Sequence, residues 1–260
     1  MIKAIFFDID GTLVSMKTKV YSPSAREALE RLRRQGIKLF IATGRSKFEI
    51  YGERLLEGLE FDGMLTNNGQ DGYDSAGRLL YGNPIHPEDV RAVIDWAEAS
   101  HTPCWVVTAH ESVLSHMDSR VEAAMEMIHT RPPQLGSPRK AAQNPVFKVV
   151  LFLNRQEMAQ AMTCMPHSRA TQWFESGFDV IAGDSGKGVA VKSLWEYYGF
   201  TREETMAFGD GLNDIEMLQT VGIGVAMGNA EEAVKAAADY VTDDVDEDGL
   251  WKALKHFGLL

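Results

Sequence analysis

Ile2-Lys3-Ala4-Ile5-Phe6-Phe7-Asp8-Ile9-Asp10-Gly11-Thr12 is an apolar run that stops at two carboxylates and a glycine turn. A short run of this kind predicts a strand over 2–7, buried on both faces as in a parallel sheet. Ser22-Pro23 then predicts a helix start, because Ser can cap and Pro fits the first helical position. Ala25, Ala28, Leu29 and Leu32 follow at helical spacing, and Gly36 ends the helix. A second strand is expected over 37–42, a helix from Ser46 to about residue 58, and a third strand over 62–66 closed by Asn67-Asn68-Gly69. Strand–helix alternation of this kind is the pattern of a right-handed parallel α/β sheet.

Beyond it the rhythm changes. Residues 70–82 read as a hairpin around Asp74-Ser75-Ala76-Gly77. Helices are then expected over 87–101, 118–129 and 155–164, and strands over 103–108, 112–116, 146–153, 168–174 and 177–182. Residues 131–145 carry four prolines and read as an exposed loop. After Gly186 the alternation returns, with helices over 187–198, 212–219, 230–238 and 246–257 and strands over 205–209, 222–226 and 239–242. The expected fold is therefore α/β. Residues 1–82 and 184–260 form a doubly wound, Rossmann-like parallel-sheet core, and residues 83–183 an inserted α+β domain.

The 260 residues, 45% apolar and 24% charged, are the balance of an ordinary globular protein. The net charge of −11 argues against nucleic-acid and anionic-membrane partners. Arg31, Arg33 and Arg34 read as a solvated helix face. Cys104 and Cys164 have no zinc spacing and read as buried thiols. Neither a signal peptide nor an apolar run long enough to span a membrane is visible, so a cytoplasmic monomer or small homo-oligomer is expected.

Asp8 and Asp10, at i and i+2, point to the same side of the first strand's carboxyl end. Alone, the pair reads equally as acidic residues of a turn. There it can also form a hard-oxygen metal site or divide the roles of nucleophile and acid/base. Thr43-Gly44-Arg45 ends the second strand, and reads as an oxyanion site or as a helix cap. Lys187 begins a helix, a poor place for a cation unless it meets an anion; the alternative is a solvated lysine. Gly209-Asp210-Gly211-Leu212-Asn213-Asp214 puts two further carboxylates and an amide after an apolar strand, more than a cap requires. All four segments follow predicted strands at one edge of the sheet, where open α/β sheets bind ligands. Two carboxylate clusters, a hydroxyl and a lysine are what phosphoryl transfer needs.

With these four motifs in order, the sequence resembles the haloacid dehalogenase superfamily. Within it, the resemblance is to the Cof-type branch (subclass IIB, with a C2B cap) of small-molecule phosphatases. Phe7-Asp8-Ile9-Asp10-Gly11-Thr12, Ile41-Ala42-Thr43-Gly44-Arg45, Lys187-Gly188 and Gly209-Asp210-Gly211-Leu212-Asn213-Asp214 carry the resemblance, and Val225-Ala226-Met227-Gly228-Asn229-Ala230 extends it. It implies a Mg²⁺-dependent hydrolase of small phosphorylated metabolites, sugar phosphates foremost. Asp8 would form an aspartyl-phosphate and Asp10 would be the general acid/base. Asp8, the Asp10 carbonyl and Asp210 would hold the metal, with Asp214 in support. Thr43, Gly44, Lys187 and Asn213 would bind phosphate. One departure is Ala182-Gly183-Asp184-Ser185-Gly186, where members often carry a basic or proline-containing run.

Candidate readers of the leaving group are His116, Arg120, Lys148 and Trp173; Arg45 could reach a second anionic group on the substrate, Asn68 either fixes the turn or faces the site, and Asp184 could pair with a cation of the inserted domain or contact substrate hydroxyls. Each has a plainer reading: His116 as a satisfied strand-end histidine, Lys148 as a solvated side chain, Trp173 as core. A phosphomutase and a non-catalytic sugar-phosphate-binding regulator are the competing functions.

Overall fold

The structure, a computed structural model, describes residues 1–128 and 130–260. The chain begins with β1 (Ala4–Phe7), α1 (Pro23–Arg34), β2 (Lys38–Ala42), α2 (Lys47–Gly52), β3 (Gly63–Thr66), β4 (Asp71–Asp74) and β5 (Leu79–Gly82). There follow α3 (Pro87–Ala99), β6 (Cys104–Thr108), β7 (Ser112–Leu114), α4 (Ser119–Ile128), β8 (Gln134–Leu135) and α5 (Pro138–Ala141). Next come β9 (Val146–Phe152), α6 (Arg155–Met162), β10 (Ser168–Phe174) and β11 (Gly177–Ala182). The remainder is α7 (Lys187–Tyr198), β12 (Thr205–Gly209), α8 (Ile215–Thr220), β13 (Ile223–Ala226), α9 (Glu232–Ala237), β14 (Tyr240–Val241) and α10 (Gly249–His256).

These elements fall into two compact units, one of residues 1–81 with 186–260 and one of residues 82–185. The first holds an eight-stranded sheet in the order β14-β13-β12-β1-β2-β3-β4-β5. Pairing is parallel from β14 through β3, and β4 then runs antiparallel to β3. Alternation along β1 supplies both faces. Ile5 and Phe7 pack with Ala28, Leu29 and Leu32 of α1 and with Leu254 of α10. Ala4 and Phe6 pack on the other side with Ala190, Val191 and Leu194 of α7 and Met217 of α8. The apolar run reads as it does because helices cover both faces of it. The Ser22 hydroxyl accepts from the Ala25 N–H at 3.0 Å, a cap worth about 1 kcal/mol to α1.

The chain leaves β1 toward β2 on one side and reaches β12 on the other. The crevice between β1 and β12 is thus a topological switch point, open at the strands' carboxyl ends.

The second unit is a six-stranded sheet in the order β10-β11-β9-β6-β7-β8, antiparallel except for the β7–β8 pair. Its core joins Val106, Val149 and Val180 to Val93 and Ile94 of α3 and Met158 of α6.

Some expected elements differ. The helix over 46–58 stops after six residues, because Arg54 takes a left-handed φ of 53° and the chain turns through Gly58. Residues 131–145 are not merely an exposed loop: Ser137 caps α5, Pro138 fills its first position, and Pro138 and Ala141 are buried. Pro138 starts a helix rather than preventing one. The final helix begins at Gly249, after Asp248 takes a φ of 59°. The expected helix over 118–129 ends on a residue outside the described ones. Cys104 is buried, whereas Cys164 is only half-buried. Among the described residues no helix is long and apolar enough to cross a membrane.

Candidate active site

Asp8 follows the last residue of β1 and is almost wholly buried. Its Oδ1 accepts from Lys187 Nζ at 2.7 Å, and the same ammonium donates to Asp214 Oδ1 at 2.6 Å. Lys187 is 1% exposed, so the cation at the start of α7 is a bridge between two carboxylates rather than a solvated lysine. Asp214 Oδ2 accepts from the backbone N–H groups of Asp210 and Gly211, at 3.0 and 2.9 Å. Asp214 therefore holds the loop after β12 in shape while anchoring the lysine. That loop presents Asp210, whose Oδ1 accepts from Thr12 Oγ1 at 2.9 Å. Its Oδ2 accepts from Asn229 Nδ2 at 3.1 Å. Gly11, at φ 78°, passes so close to Asp210 that a Cβ there would lie 2.1 Å from Oδ2. Only glycine fits on both counts.

Asp10 faces a different partner. Arg45 grips it in a fork, Nε to Oδ2 at 2.6 Å and Nη2 to Oδ1 at 2.8 Å. Arg45 Nη1 also donates to Glu53 Oε2 at 2.8 Å. The capping box of α2, in which Ser46 and Glu49 bond each other's backbone N–H, sets the start of this helix beside Arg45. Thr43 is buried and its hydroxyl accepts from the Arg45 N–H at 3.2 Å. Asn213 Nδ2 donates to Asn68 Oδ1 at 2.8 Å, and a Cβ at Gly44 would stand 3.0 Å from that same oxygen. Asn68 holds a left-handed φ of 59° within the turn after β3.

So the first unit brings together Asp8, Asp10, Thr43, Gly44, Arg45, Asn68, Lys187, Asp210, Asn213 and Asp214. Arg45 was expected to be available to a second anionic group of a substrate; here its guanidinium is taken up by Asp10 and Glu53. Glu53 and the anchoring roles of Thr12 and Asn229 were not foreseen. Thr12 and Asn229 lay inside the quoted motifs, so their positions were visible although their partners were not.

His116, Lys148 and Asp184 lie in the second unit. His116 is exposed, with Nδ1 3.0 Å from Ser115 Oγ. Lys148 is not solvated. It is 3% exposed, its Nζ lies 3.8 Å from Asp179 Oδ2, and it stands 5.8 Å from the centre of the Trp105 ring. Asp184 is exposed and accepts from Asn83 Nδ2 at 3.0 Å. Arg120 pairs with Asp118, and Trp173 packs edge-on to Phe152.

The electrostatics of the cluster are unbalanced. Burial pushes the Asp8 carboxyl well above its ordinary range; Lys187 opposes this, while Asp214, Asp210 and Asp10 reinforce it. Burial would lower the Lys187 ammonium, but Asp214 and Asp8 hold it above its ordinary value. Burial, with Asp214 close by, raises Asp210 to about 7. Oxygens of Asp8, Asp210 and Asp214 lie within 4.8 Å of one another, around one ammonium. An excess of hard oxygen donors without thiol or imidazole fits Mg²⁺.

The Asp210 value carries a prediction. Its pKa rises from an ordinary 3.8 to about 7 in the fold, so the metal-free folded state binds more protons than the unfolded chain between those values. Its contribution to stability is present below about pH 4 and is lost as pH rises through about 7. In EDTA, Tm should fall across that window, less so in Asp210→Asn. Mg²⁺ should raise Tm more above the window than within it, since metal and proton compete. Equal slopes for wild type and variant would refute this.

A doubly wound sheet with clustered aspartates and a buried lysine at its switch point defines a class of phosphate-processing α/β hydrolases. A profile of the haloacid dehalogenase-like hydrolases matches residues 5–254, and the chain belongs to that family. The subclass IIB sugar phosphatase BT4131 superposes with a TM-score of 0.85 at 37% identity, over 99% of this chain and 100% of that one. Pyridoxal phosphate phosphatase YbhA of Escherichia coli is 31% identical, over 95% of this chain and 96% of its own. The 5-amino-6-(5-phospho-D-ribitylamino)uracil phosphatase YcsE of Bacillus subtilis is 30% identical, over 99% and 96%. The chain is a phosphatase of the subclass IIB, Cof-type branch.

Proposed function

We propose that the chain hydrolyses small phosphomonoesters, sugar phosphates foremost, in a Mg²⁺-dependent reaction through an aspartyl-phosphate on Asp8. The observation that carries this reading is Asp8 at the end of β1, held on the buried Lys187 ammonium with oxygens of Asp210 and Asp214 within 4.8 Å. Arg45 donates to both Asp10 oxygens, so the fork opens before Asp10 carries a proton for the leaving group.

Asp8 Oδ2, the oxygen Lys187 does not engage, attacks phosphorus, and the bond to the leaving alcohol oxygen breaks. Asp10, released from the Arg45 fork and carrying a proton, gives that proton to the leaving oxygen. Asp10 then takes a proton from water as the water attacks phosphorus, which releases phosphate and regenerates Asp8. Lys187, Thr43, Asn213 and the Gly44 amide hold phosphate oxygens. Asp8, the Asp10 carbonyl and Asp210 are the groups that would hold Mg²⁺, with Asp214 shaping their loop. The ion supplies charge neutralisation, letting an anion approach an anion.

Residues 82–185 are the cap in this reading, and His116, Lys148 and Asp184 are the side chains through which leaving-group selectivity is to be tested. Relatives named for a sugar phosphate, pyridoxal phosphate and a ribitylaminouracil phosphate support a range of small leaving groups.

EDTA should abolish hydrolysis of p-nitrophenyl phosphate and Mg²⁺ should restore it; metal-independent turnover would sink the proposal. Across hexose, pentose, triose, nucleotide and cofactor phosphates, kcat/KM should vary shallowly. A preference above about 10⁴-fold for one of them would overturn the expectation of breadth. The Arg45 fork is tested separately. Arg45→Lys keeps the charge but not the paired geometry, and should lower kcat about 10- to 100-fold with little change in KM. An unchanged kcat would remove the fork from the mechanism.

A further inference from the structure

His86, Asp89 and His167 form another cluster of metal-ligating side chains, wholly within residues 82–185. His86 caps α3, Asp89 lies in the first turn of that helix, and His167 directly precedes β10. One donor atom of each lies within 4.8 Å of the other two. His167 Nδ1 is 3.1 Å from Asp89 Oδ1, close to the edge between two donors at about 2.0–2.2 Å on a tetrahedral ion. The two imidazoles stand 4.4 Å apart, centroid to centroid.

The carboxylate is set in place before any ion arrives. Asp89 is 1% exposed, and its Oδ2 accepts from the His167 backbone N–H at 2.9 Å and from Ser168 Oγ at 2.7 Å. Outer hydrogen bonds of this kind fix the orientation of a metal ligand. Among the described residues, its partner within ion-pair distance is the His167 imidazole, which is charged only when protonated. A buried carboxylate is costly unless a cation stands beside it, and a metal ion held by the two rings would be one. Both rings are exposed, so an ion can reach them. The other contact of His86 is a long one, 3.4 Å from the Glu88 N–H, and constrains the ring little.

We propose that His86, Asp89 and His167 bind one divalent transition-metal ion, Zn²⁺ foremost, with a fourth position left to water. Two imidazole nitrogens and one carboxylate suit such an ion, whereas the all-oxygen cluster of the first unit suits Mg²⁺. The ion ties the start of α3 to a position 78 residues further along the chain. It therefore stabilises the folded second unit by mass action.

Zn²⁺ is titrated calorimetrically into the 260-residue chain in saturating Mg²⁺, for wild type, His86→Ala, His167→Ala and the double variant. Wild type should take up one equivalent that the double variant does not, and each single variant should bind it at least about tenfold more weakly. Equal uptake by wild type and double variant would overturn the proposal, and so would no uptake by wild type. Replacing exposed rings spares the core, and unchanged Mg²⁺-supported hydrolysis in the double variant, before Zn²⁺ is added, verifies that it is folded.

Discussion

Asp8→Asn is expected to lower kcat/KM for p-nitrophenyl phosphate by at least about 10⁴-fold while leaving the protein folded. The amide matches the carboxylate in shape but cannot form the acyl-phosphate. Lys187 keeps Asp214 as a partner at 2.6 Å, so the substitution leaves no unpaired cation. Burial and three neighbouring carboxylates disfavour the Asp8 charge, so replacing it with a neutral group relieves repulsion. In EDTA the variant should therefore unfold at or above the wild-type Tm. Loss of activity with a retained Tm separates a chemical role from a structural one. Activity within tenfold of wild type would dismiss Asp8 as the nucleophile.

Lys187→Met should act on both properties. Methionine fills a similar volume but leaves Asp8 and Asp214, both buried, without their shared cation. Removing one partner of a buried ion pair costs about 3–5 kcal/mol. Protonation can absorb part of this, because the Asp8 carboxyl already sits well above its ordinary range. The loss in Tm should therefore be smaller at acidic pH and grow as pH rises. Activity should fall about 10²–10³-fold, as for loss of one preorganised donor to developing charge. In an Asp214→Asn background the stability cost of Lys187→Met should shrink, since contacting residues are not additive. Full additivity would contradict a shared bridge.

The two variants also test different features of the chain. Asp8 was legible because what marks it is local: an apolar run, a stop at a carboxylate and a glycine turn. The same holds for Thr43, Lys187 and Asp210, each placed by the end of a strand or the start of a helix. The alternation of Ala4 and Phe6 against Ile5 and Phe7 follows from the two-residue period of a strand, so the buried parallel sheet could be read as well.

Pairing could not be read, because it depends on strand order rather than on spacing. The partners of Lys187 are 179 and 27 residues away, and Thr12 meets Asp210 across 198. Those contacts exist because β1 and β12 lie side by side. The Asp10–Arg45–Glu53 chain was hidden for a different reason: helical periodicity runs on past Gly52, whereas the left-handed turn at Arg54 ends α2 and fits Glu53 to Arg45. Lys148 shows the limit of alternation, which assigns a face but not what that face meets; its ammonium lies near Asp179 of a neighbouring strand. By itself, then, the sequence determined which side chains stand at the ends of which strands, since that is set within a few residues. Only the tertiary structure decided which two carboxylates Lys187 bridges, that Arg45 holds Asp10, and that His86 and His167 meet over Asp89, because each needs segments separated in sequence to be packed together.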